Sequence, residues 1–401
     1  MTQTQPPQDT SAPHGTPPGS TAPVEPSVGR LVGVDLARAL AVFGMFVIHL
    51  GPSATAVDGI GAWVLNLAEG RSSALFATLA GFSLMLIAGR REPKTGLAGR
   101  QAKARIAIRA VVLLALGTAM AMAYGGVVIL AFYAVYFLLA LPLVRLRAKT
   151  LAIIAAVLAV VMPQLAFGLE TLLTEPVTSA LKAHDPLEAI GGVGVLDLLV
   201  TGFYPAITWM AFVVTGMALG RLDLTSGAVQ RRLAALGPAL IVLGYGTSML
   251  LAGNDALKSD ANSGSASGSP SFDGGSFEPN GSASSLLLAG PHSGTTFDII
   301  GSLGVAITVI VCATVAMARL PRLHRLAAPI IAVGTMSLTA YVGHFVVSSL
   351  TGPESPESSW VPVLLFILGT CVFAGVWSRF FRRGPLEYLL HTATTPVKYL
   401  R

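Results

Sequence analysis

Charged residues are scarce in this sequence. Only 11% of its 401 residues are Asp, Glu, Lys or Arg, while 53% are hydrophobic. A soluble domain carries roughly 25% charged residues, because its core must be covered by a polar surface. The scarcity of charge excludes a soluble globular protein and indicates a chain that is solvated largely by lipid.

Cysteine is also scarce. Cys312 and Cys371 both lie in apolar runs, where a thiol packs as a small apolar side chain. Two such residues provide neither a disulfide framework nor the spacing of a zinc site. The sequence also lacks the G-x-S-x-G, H-E-x-x-H, Walker and dinucleotide-binding motifs. Their absence argues against the common hydrolase and nucleotide-binding classes that carry them.

Long apolar runs are what the sequence has instead. A spanning helix needs about 20 mostly apolar residues, because only a helix that satisfies its own backbone can cross ~30 Å of hydrocarbon. The predicted fold class is all-α, a polytopic membrane helix bundle of about ten transmembrane helices. The qualifying stretches lie near residues 32–52, 72–89, 106–123, 126–144, 150–168, 203–220, 234–252, 296–318, 327–350 and 360–381.

The chain is predicted to hold one membrane domain with polar ends. Residues 1–29 contain no Lys or Arg and no apolar run, and their richness in Pro, Thr, Ser and Gln predicts a disordered tail. The membrane domain covers residues 30–395. Within it, residues 253–285 are rich in Ser, Gly, Asn and Asp and predict a flexible outer loop. Residues 396–401 form a second short tail.

The basic residues predict the orientation of the bundle. Twenty-two of the 26 lysines and arginines fall on the side where the first span begins. The positive-inside rule makes that side cytoplasmic, so both termini are predicted to be cytoplasmic and the chain to lie in the inner (plasma) membrane. This distribution accounts for the net charge of +6, and no nucleic-acid partner is expected. The expected partner is the lipid bilayer, and the sequence is compatible with a homodimer.

The first span holds the densest group of ionisable residues, Asp35, Arg38 and His49. Such side chains cost about 2.5–3.5 kcal/mol each at a helix centre. Arg38 and His49 are predicted to lie about 20° apart around the helix and roughly 16 Å apart along it. A cation near the cytoplasm suits an anionic donor, and an imidazole near the outer end suits proton transfer. In a purely structural reading, Asp35 and Arg38 form an ion pair and His49 is an interfacial side chain.

Three residues elsewhere are further site candidates. His344 lies well inside its span, where an imidazole serves either catalysis or helix packing. His292 precedes the eighth span in a turn-rich segment. Arg71 begins a helix on the outer side, where the helix dipole disfavours a cation. It is predicted either to bind an anionic substrate group or to pair with Glu69.

The sequence begins to resemble a known protein family at the first span. Residues Arg30 to Met45 read R-L-x-x-V-D-x-x-R-A-x-A-x-x-x-M, which resembles the start of the heparan-alpha-glucosaminide N-acetyltransferase-like proteins of the transmembrane acyltransferase superfamily. Arg38, ten residues and His49 are similar to the R-x10-H signature of the acyltransferase-3 branch. The resemblance extends over residues 30–395, through blocks at Gly70–Leu84, Phe203–Leu224, the PHSGTTFDIIGS segment and Phe381–Leu390.

The resemblance implies an acyltransferase with acetyl-CoA or another acyl-CoA as donor and an envelope saccharide or glycolipid as acceptor. His49 would be the general base or a transient acyl carrier, with Asp58 orienting it. Donor phosphates would lie near Arg38, which Asp35 pairs with, and near a group of basic residues. These are Arg100, Lys103 and Arg105.

One departure from the family pattern concerns the catalytic histidine. The lysosomal enzymes are expected to carry it in the loop after the first span, but residues 51–70 contain none here, so its role is assigned to His49. Two other classes also fit the residues. One is a transporter or flippase that uses Arg38 and His49 as a substrate or proton path. The other is a membrane scaffold in which the charges only fix helix register.

Overall fold

All ten predicted apolar segments contain helix in the computed structural model, which describes residues 31–53, 56–124, 128–253, 256–257, 282–351 and 359–400. Those residues contain no strand, so the all-α class is confirmed. The predicted tail 1–29 and most of the predicted loop 253–285 lie outside them. The helices in chain order are α1 (Val32–Leu50), α2 (Ile60–Ala68), α3 (Arg71–Ala88), α4 (Gly96–Tyr124), α5 (Ile129–Ala140), α6 (Ala148–Leu172), α7 (Glu175–Ala183), α8 (Pro186–Gly191), α9 (Ala206–Arg221), α10 (Gly227–Ile241), α11 (Thr247–Ala252), α12 (Thr296–Arg319), α13 (Pro321–Leu326), α14 (Ala328–Thr335), α15 (Ser337–Thr351), α16 (Val361–Phe380) and α17 (Pro385–Ala393).

The number of helices able to cross a membrane is lower than ten by length and composition. Seven stretches in the described residues qualify: α1, α2 with α3, α4, α6, α10 with α11, α12 and α16. An eighth span results if α14 and α15 count together, although their axes differ by 87°. The chain is therefore a polytopic membrane protein, and the predicted count of ten is approximate.

The two remaining apolar segments, α5 and α9, are short because they lie inside the bundle. They have 12 and 16 residues, or about 18 and 24 Å at 1.5 Å per residue. Most of their side chains are buried by neighbouring helices. The Tyr136 hydroxyl of α5 donates to the Tyr204 carbonyl just before α9, at 2.5 Å. Hydropathy detects such helices but not the fact that protein surrounds them.

Glycine lets α9 approach α3 closely. A Cβ added to Gly216 would lie 1.8 Å from the Thr78 carbonyl oxygen, and one added to Gly81 would lie 1.9 Å from the Val213 carbonyl oxygen. Only residues without a side chain fit at these positions. Backbone-to-backbone contact of this kind is how membrane helices gain packing energy where lipid offers no hydrophobic driving force.

Arg221, at the end of α9, contacts the segments that follow α3 and α5. These three chain segments lie on one side of the bundle, here called the basic face. The Arg221 guanidinium donates to the carbonyl oxygens of Arg90 and Val144, and to that of Leu146 at 3.2 Å. These carbonyls follow α3 and α5, and Arg221 itself ends α9. The basic loops thus lie together on one face, as their spacing between the apolar segments predicts.

The opposite side, where α1 ends and α3 begins, is here called the histidine face. Arg38 near the start of α1 contacts Ser83 near the end of α3, so these two helices are antiparallel. A Cβ on Gly70, just before α3, would lie 3.1 Å from Pro291 Cβ. The segment before α12 therefore packs on the start of α3, which places His49, Arg71 and His292 on the same face.

Candidate functional site

Asp35 and Arg38 form an ion pair in α1 that also joins α1 to α3. Arg38 Nη1 lies 2.6 Å from Asp35 Oδ1, and Arg38 Nη2 donates to Ser83 Oγ at 2.9 Å. Asp35 is buried, and its carbonyl oxygen would lie 1.7 Å from a Cβ on Gly334 of α14. The start of α1 is thus tied to α3 and packed against α14. The ion pair allowed by the sequence is present, and Arg38 does not line the groove described below.

His49 contacts a second histidine from a distant part of the chain. His49 Nδ1 lies 2.7 Å from His344 Nε2, and the two rings stack with centroids 4.9 Å apart. His344 on α15 is buried, with 1% of its surface exposed, whereas His49 at the end of α1 is exposed. The pair therefore combines a buried imidazole with an accessible one.

Hydrogen bonding fixes the proton positions of the neutral pair. His344 Nδ1 contacts the Tyr341 carbonyl oxygen, and a carbonyl can only accept. The proton of neutral His344 is therefore on Nδ1, and its Nε2 accepts a hydrogen bond from His49 Nδ1. That leaves the lone pair of neutral His49 on Nε2. An imidazole with one nitrogen held by a partner and the other free is the arrangement required of a general base or nucleophile.

Aromatic rings hold His344 in place. Phe345 packs against it with ring centroids 4.1 Å apart, and Phe46 and Tyr341 lie at 5.3 and 5.2 Å. Phe46 in turn meets Phe366 of α16 edge to face at 4.9 Å. Rings on three sides restrict rotation of the buried imidazole, which keeps its Nε2 directed at His49.

A long groove of about 1170 Å³ lies between α15 and α16 and includes His49 in its wall. The end of α1, Tyr124 of α4, Thr339 and Phe345 of α15, and Phe366 of α16 also line it. None of the described residues in its wall is Asp, Glu, Lys or Arg. The groove therefore suits an uncharged group.

The orienting role assigned to Asp58 stays a prediction. Asp58 is exposed in the turn before α2, and the side chain that meets His49 Nδ1 is His344. A contact between residues 295 positions apart in the sequence leaves no local signal, so spacing alone favoured the nearer carboxylate.

Arg71 joins a polar network on the histidine face. Its guanidinium lies 4.8 Å from the centroid of the Tyr245 ring and donates to the carbonyl oxygen of Glu69 at 3.3 Å. The Tyr245 hydroxyl lies 2.9 Å from Ser302 Oγ, which donates to Asp298 Oδ1 at 3.0 Å. The predicted pairing of Arg71 with residue 69 is thus made to a backbone carbonyl. Tyr245 and Ser302 were not predicted, because neither residue type is unusual in an apolar run.

His292 is held in a strained conformation among aromatic rings. Its φ of 62° lies in the left-handed region, which is uncommon for a residue other than glycine. The rings of Phe203, Tyr204 and Trp209 surround it at centroid distances of 4.3, 5.4 and 5.9 Å. Burial, together with positive charge on His49 and on Arg71, lowers the pKa of His292 to about 3. The ring is therefore neutral at physiological pH.

A cationic cluster lies at the basic face, where α4 packs against α17. Arg105 and Arg109 are four residues apart on α4 and so share one side of it. Burial, followed by the charges of Arg383, Arg109 and Arg105, lowers the pKa of His391 on α17. Arg109 Nε is buried without a hydrogen-bond partner in the described part of the chain.

Of the three basic residues predicted near the donor, Arg105 belongs to this cluster. Arg100 is exposed, and Lys103 is half-buried on the same helix. Arg383 and His391 were missed, because nothing in the sequence shows that the C-terminal helix returns to α4. The Arg105 and Arg109 spacing was the one available signal.

Together these features define an all-α polytopic membrane protein with an oriented histidine pair beside a groove whose described wall residues carry no charge. The chain belongs to the heparan-alpha-glucosaminide N-acetyltransferase catalytic family, whose model matches residues 30–251, more than half of the chain. A second family model, for a protein family of unknown function, DUF418, matches residues 282–396. No curated protein matches the chain. The first match indicates acyltransferase-type activity, with acetyl-CoA as the donor implied for the family.

The two matched regions together supply the histidine pair. His49 lies in the region that matches the acetyltransferase family, and His344 and His292 lie in the region that matches the family of unknown function. The groove likewise has walls from both. The second region is therefore half of the candidate site.

Proposed function

We propose that the chain is a membrane-embedded acyltransferase, which moves an acetyl or other acyl group from cytoplasmic acyl-CoA to a saccharide or glycolipid acceptor outside. The observation that carries the proposal is the contact between His49 and His344. It leaves a free lone pair on an accessible imidazole in the wall of the groove. The family match supports the reaction class, and the groove supports the path of the donor.

The basic face is assigned to the cytoplasm. Its cationic loops obey the positive-inside rule when the protein lies in the plasma membrane with both termini inside. The histidine face then lies outside. Acyl-CoA is made and held in the cytoplasm, so the donor reaches the basic face first and the acyl group must cross the bundle to reach the acceptor.

The cationic cluster is assigned to the phosphates of the donor. Arg105, Arg109 and Arg383 supply guanidinium groups, which bind phosphate through paired hydrogen bonds. The unpartnered Nε of Arg109 is a buried donor that an anionic ligand would satisfy. Arg100 and Lys103, which precede Arg105 on α4, add long-range attraction. Asp35 and Arg38 hold α1 in register, so that its far end presents His49.

The groove is assigned to the pantetheine arm of the donor. The arm is elongated and carries amides but no charge, which matches a wall without Asp, Glu, Lys or Arg among its described residues. Thr339 lies near the start of α15, the end that contacts α17, and His49 lies beside His344, five residues further along α15. The thioester would thus reach the histidine pair while the phosphates stay at the basic face.

His49 is assigned the proton transfer. As general base, its Nε2 takes the proton of an acceptor hydroxyl or amine, whose oxygen or nitrogen attacks the thioester carbonyl. The carbon–sulfur bond breaks, and the thiolate takes the proton back from His49. As acyl carrier, Nε2 attacks the thioester carbonyl, the carbon–sulfur bond breaks and CoA leaves as the thiolate. The acceptor oxygen or nitrogen then attacks the acyl carbonyl, the bond to Nε2 breaks, and the acceptor's proton passes to the thiolate. In both routes, His344 keeps His49 Nδ1 protonated and the lone pair on Nε2.

The acceptor is assigned to the histidine face. Tyr245, Ser302 and Asp298 form a chain of hydroxyl and carboxyl groups beside Arg71. Hydroxyls and carboxylates of this kind bind the hydroxyl groups of a saccharide. The neutral ring of His292 lies on the same face and adds a hydrogen-bonding group that carries no charge.

A transporter or flippase remains the second candidate because one span is broken. The 87° bend between α14 and α15 resembles the discontinuous helices that many transporters use at their substrate sites. Transporters commonly carry a second broken helix in the symmetric half, whereas among the described residues only this pair is broken. The transferase is therefore preferred.

Sided membrane vesicles test the proposed function. Acetyl-CoA with a radiolabelled acetyl group is added to inverted or right-side-out vesicles with a cell-envelope extract, for the wild type, His49→Ala and the matched control His324→Ala. We expect covalent label on an acceptor only when the donor reaches the cytoplasmic face. His49→Ala should lower this labelling by about 100-fold or more, and the control should not. Movement of an envelope precursor without covalent label would favour the transporter, and full labelling by His49→Ala would refute the assignment.

A further inference from the structure

The break between α14 and α15 leaves a helix start inside the protein. α14 ends at Thr335, and Met336 has φ −125° and ψ 39° before α15 begins at Ser337. The first N–H groups of any helix lack partners within that helix. A buried helix start therefore requires acceptors from elsewhere in the chain.

Glu387 of α17 supplies those acceptors. Its Oε1 accepts from the backbone N–H of Leu338 at 2.8 Å and of Thr339 at 3.2 Å. Its Oε2 accepts from Thr339 Oγ1 at 2.6 Å. A carboxylate at this position also interacts favourably with the positive end of the helix dipole. One side chain, 48 residues after Thr339 in the sequence, thus caps the half-helix.

Thr339 caps α17 in return. Its Oγ1 accepts from the N–H of Leu386 at 3.1 Å, in the first turn of α17. The residue before that helix must be glycine, because a Cβ on Gly384 would lie 2.2 Å from Glu387 Oε2 and 2.5 Å from Met336 Cβ. The two helix starts therefore hold each other at a fixed distance through these hydrogen bonds.

We propose that Glu387 is a positioning residue for acyl transfer, which sets α15 so that His344 meets His49. The inference rests on the proposed function. His344 follows Thr339 on α15, and two residues of that short stretch are held by other helices: Thr339 by Glu387, and Tyr341 by its hydroxyl, which accepts from the Ile129 N–H at 3.3 Å. A shift of the helix start would move the imidazole by a similar distance.

The same helix also reaches the cationic cluster. His391 lies four residues after Glu387 on α17 and adjoins Arg105 and Arg109 of α4. The Glu387 turn of α17 therefore contacts the start of α15, and the His391 turn lies near the assigned phosphate site.

Steady-state kinetics of the full-length protein in proteoliposomes test the role of Glu387. Glu387→Ala should lower kcat by about tenfold or more, since small misplacements of reacting groups cost this much. KM for acetyl-CoA should change less than about twofold. Thr339→Val, which leaves the two backbone bonds intact, should show a smaller loss, and Thr339→Ser should restore kcat because it returns the hydroxyl. Glu92→Ala on the basic face is the matched control.

A second readout does not depend on acyl transfer. Diethyl pyrocarbonate acylates neutral imidazoles, and mass spectrometry gives the rate at each histidine. We expect Glu387→Ala to change the rate at His49 and to leave the rate at His324 unaltered. Wild-type kcat together with a wild-type His49 rate in Glu387→Ala would overturn the inference, as would equal kcat for Thr339→Val and the wild type. If His49→Ala still transfers acyl groups, the proposed function fails, and the His49 modification rate still decides the role of Glu387.

Discussion

His344 Nε2 accepts a hydrogen bond from His49 Nδ1 at 2.7 Å, and His344 Nδ1 donates to the carbonyl oxygen of Tyr341. This chain of two hydrogen bonds places a fixed neutral histidine where many hydrolases place an aspartate. A neutral partner orients the imidazole and selects its tautomer without adding a charge at membrane depth, where an unpaired carboxylate is costly.

The first prediction concerns this partner. His344→Ala removes the acceptor for His49 Nδ1 and frees the ring to adopt the other tautomer. We expect kcat to fall by about 10- to 100-fold, as for the loss of other orienting partners, and KM for the donor to stay near its wild-type value. Kinetics in proteoliposomes measure both. His324→Ala on the basic face removes a histidine far from the pair and is the matched control, and equal kcat for the two variants would contradict the role of His344.

The second prediction concerns the groove. A Cβ on Gly369 would meet nothing within 4 Å, and this residue lines the groove. Gly369→Leu should fill the groove and lower the rate of transfer by about tenfold or more. Gly168→Leu on α6 also meets open space but lies away from the groove, so it is the matched control. If Gly369→Leu and Gly168→Leu have similar thermal stability and also similar rates of transfer, the donor takes another path.

The third prediction concerns the cationic cluster. Arg105→Gln and Arg383→Gln should each raise KM for acetyl-CoA by about 3- to 10-fold with little change in kcat. A charged hydrogen bond contributes about 1.5–3 kcal/mol when sheltered and less when exposed to water. Raising the salt concentration should raise KM in the wild type more than in the double variant. Arg322→Gln on the basic face, away from α4, is the control.

The fourth prediction concerns pH. The pKa of His292 is about 3 in the folded protein, below the value near 6.5 of an unfolded chain. Below pH 6.5 the unfolded state therefore binds more protons, and stability falls as pH falls from 6.5 toward 3. At pH 5 the loss from this group is about 2 kcal/mol. His292→Asn, which tolerates the left-handed backbone, should lose less Tm between pH 7.5 and 5 than the wild type. An equal loss in both proteins would contradict this account.

The sequence predicted the helices well, because a run of apolar residues is a local property. The break at Met336 was not predicted, since no proline marks it, and its stability comes from Glu387 in another helix. The lengths of α5 and α9 were overestimated for a related reason. Hydropathy reports that a segment avoids water, and it does not report whether lipid or protein replaces the water.

The candidate site was predicted in part. The charge and depth of His49, His344, His292 and Arg71 singled them out, and the structure brings His49 and His344 into contact. Whether these residues act as predicted stays a prediction. Asp58 was favoured because it is near His49 in sequence, whereas the observed partner comes from the other end of the chain. Arg38 shares a helix with His49 and contacts Asp35 and Ser83, and its role at the donor stays a prediction.

The most direct test of the account is a single-turnover measurement on the purified protein in proteoliposomes with excess protein over labelled acetyl-CoA. We predict that His49→Gln retains the wild-type Tm and binds acetyl-CoA with wild-type affinity. We also predict that the rate of label transfer to the acceptor falls by about 100-fold or more. A folded His49→Gln protein that transfers the acetyl group at the wild-type rate would contradict the central claim.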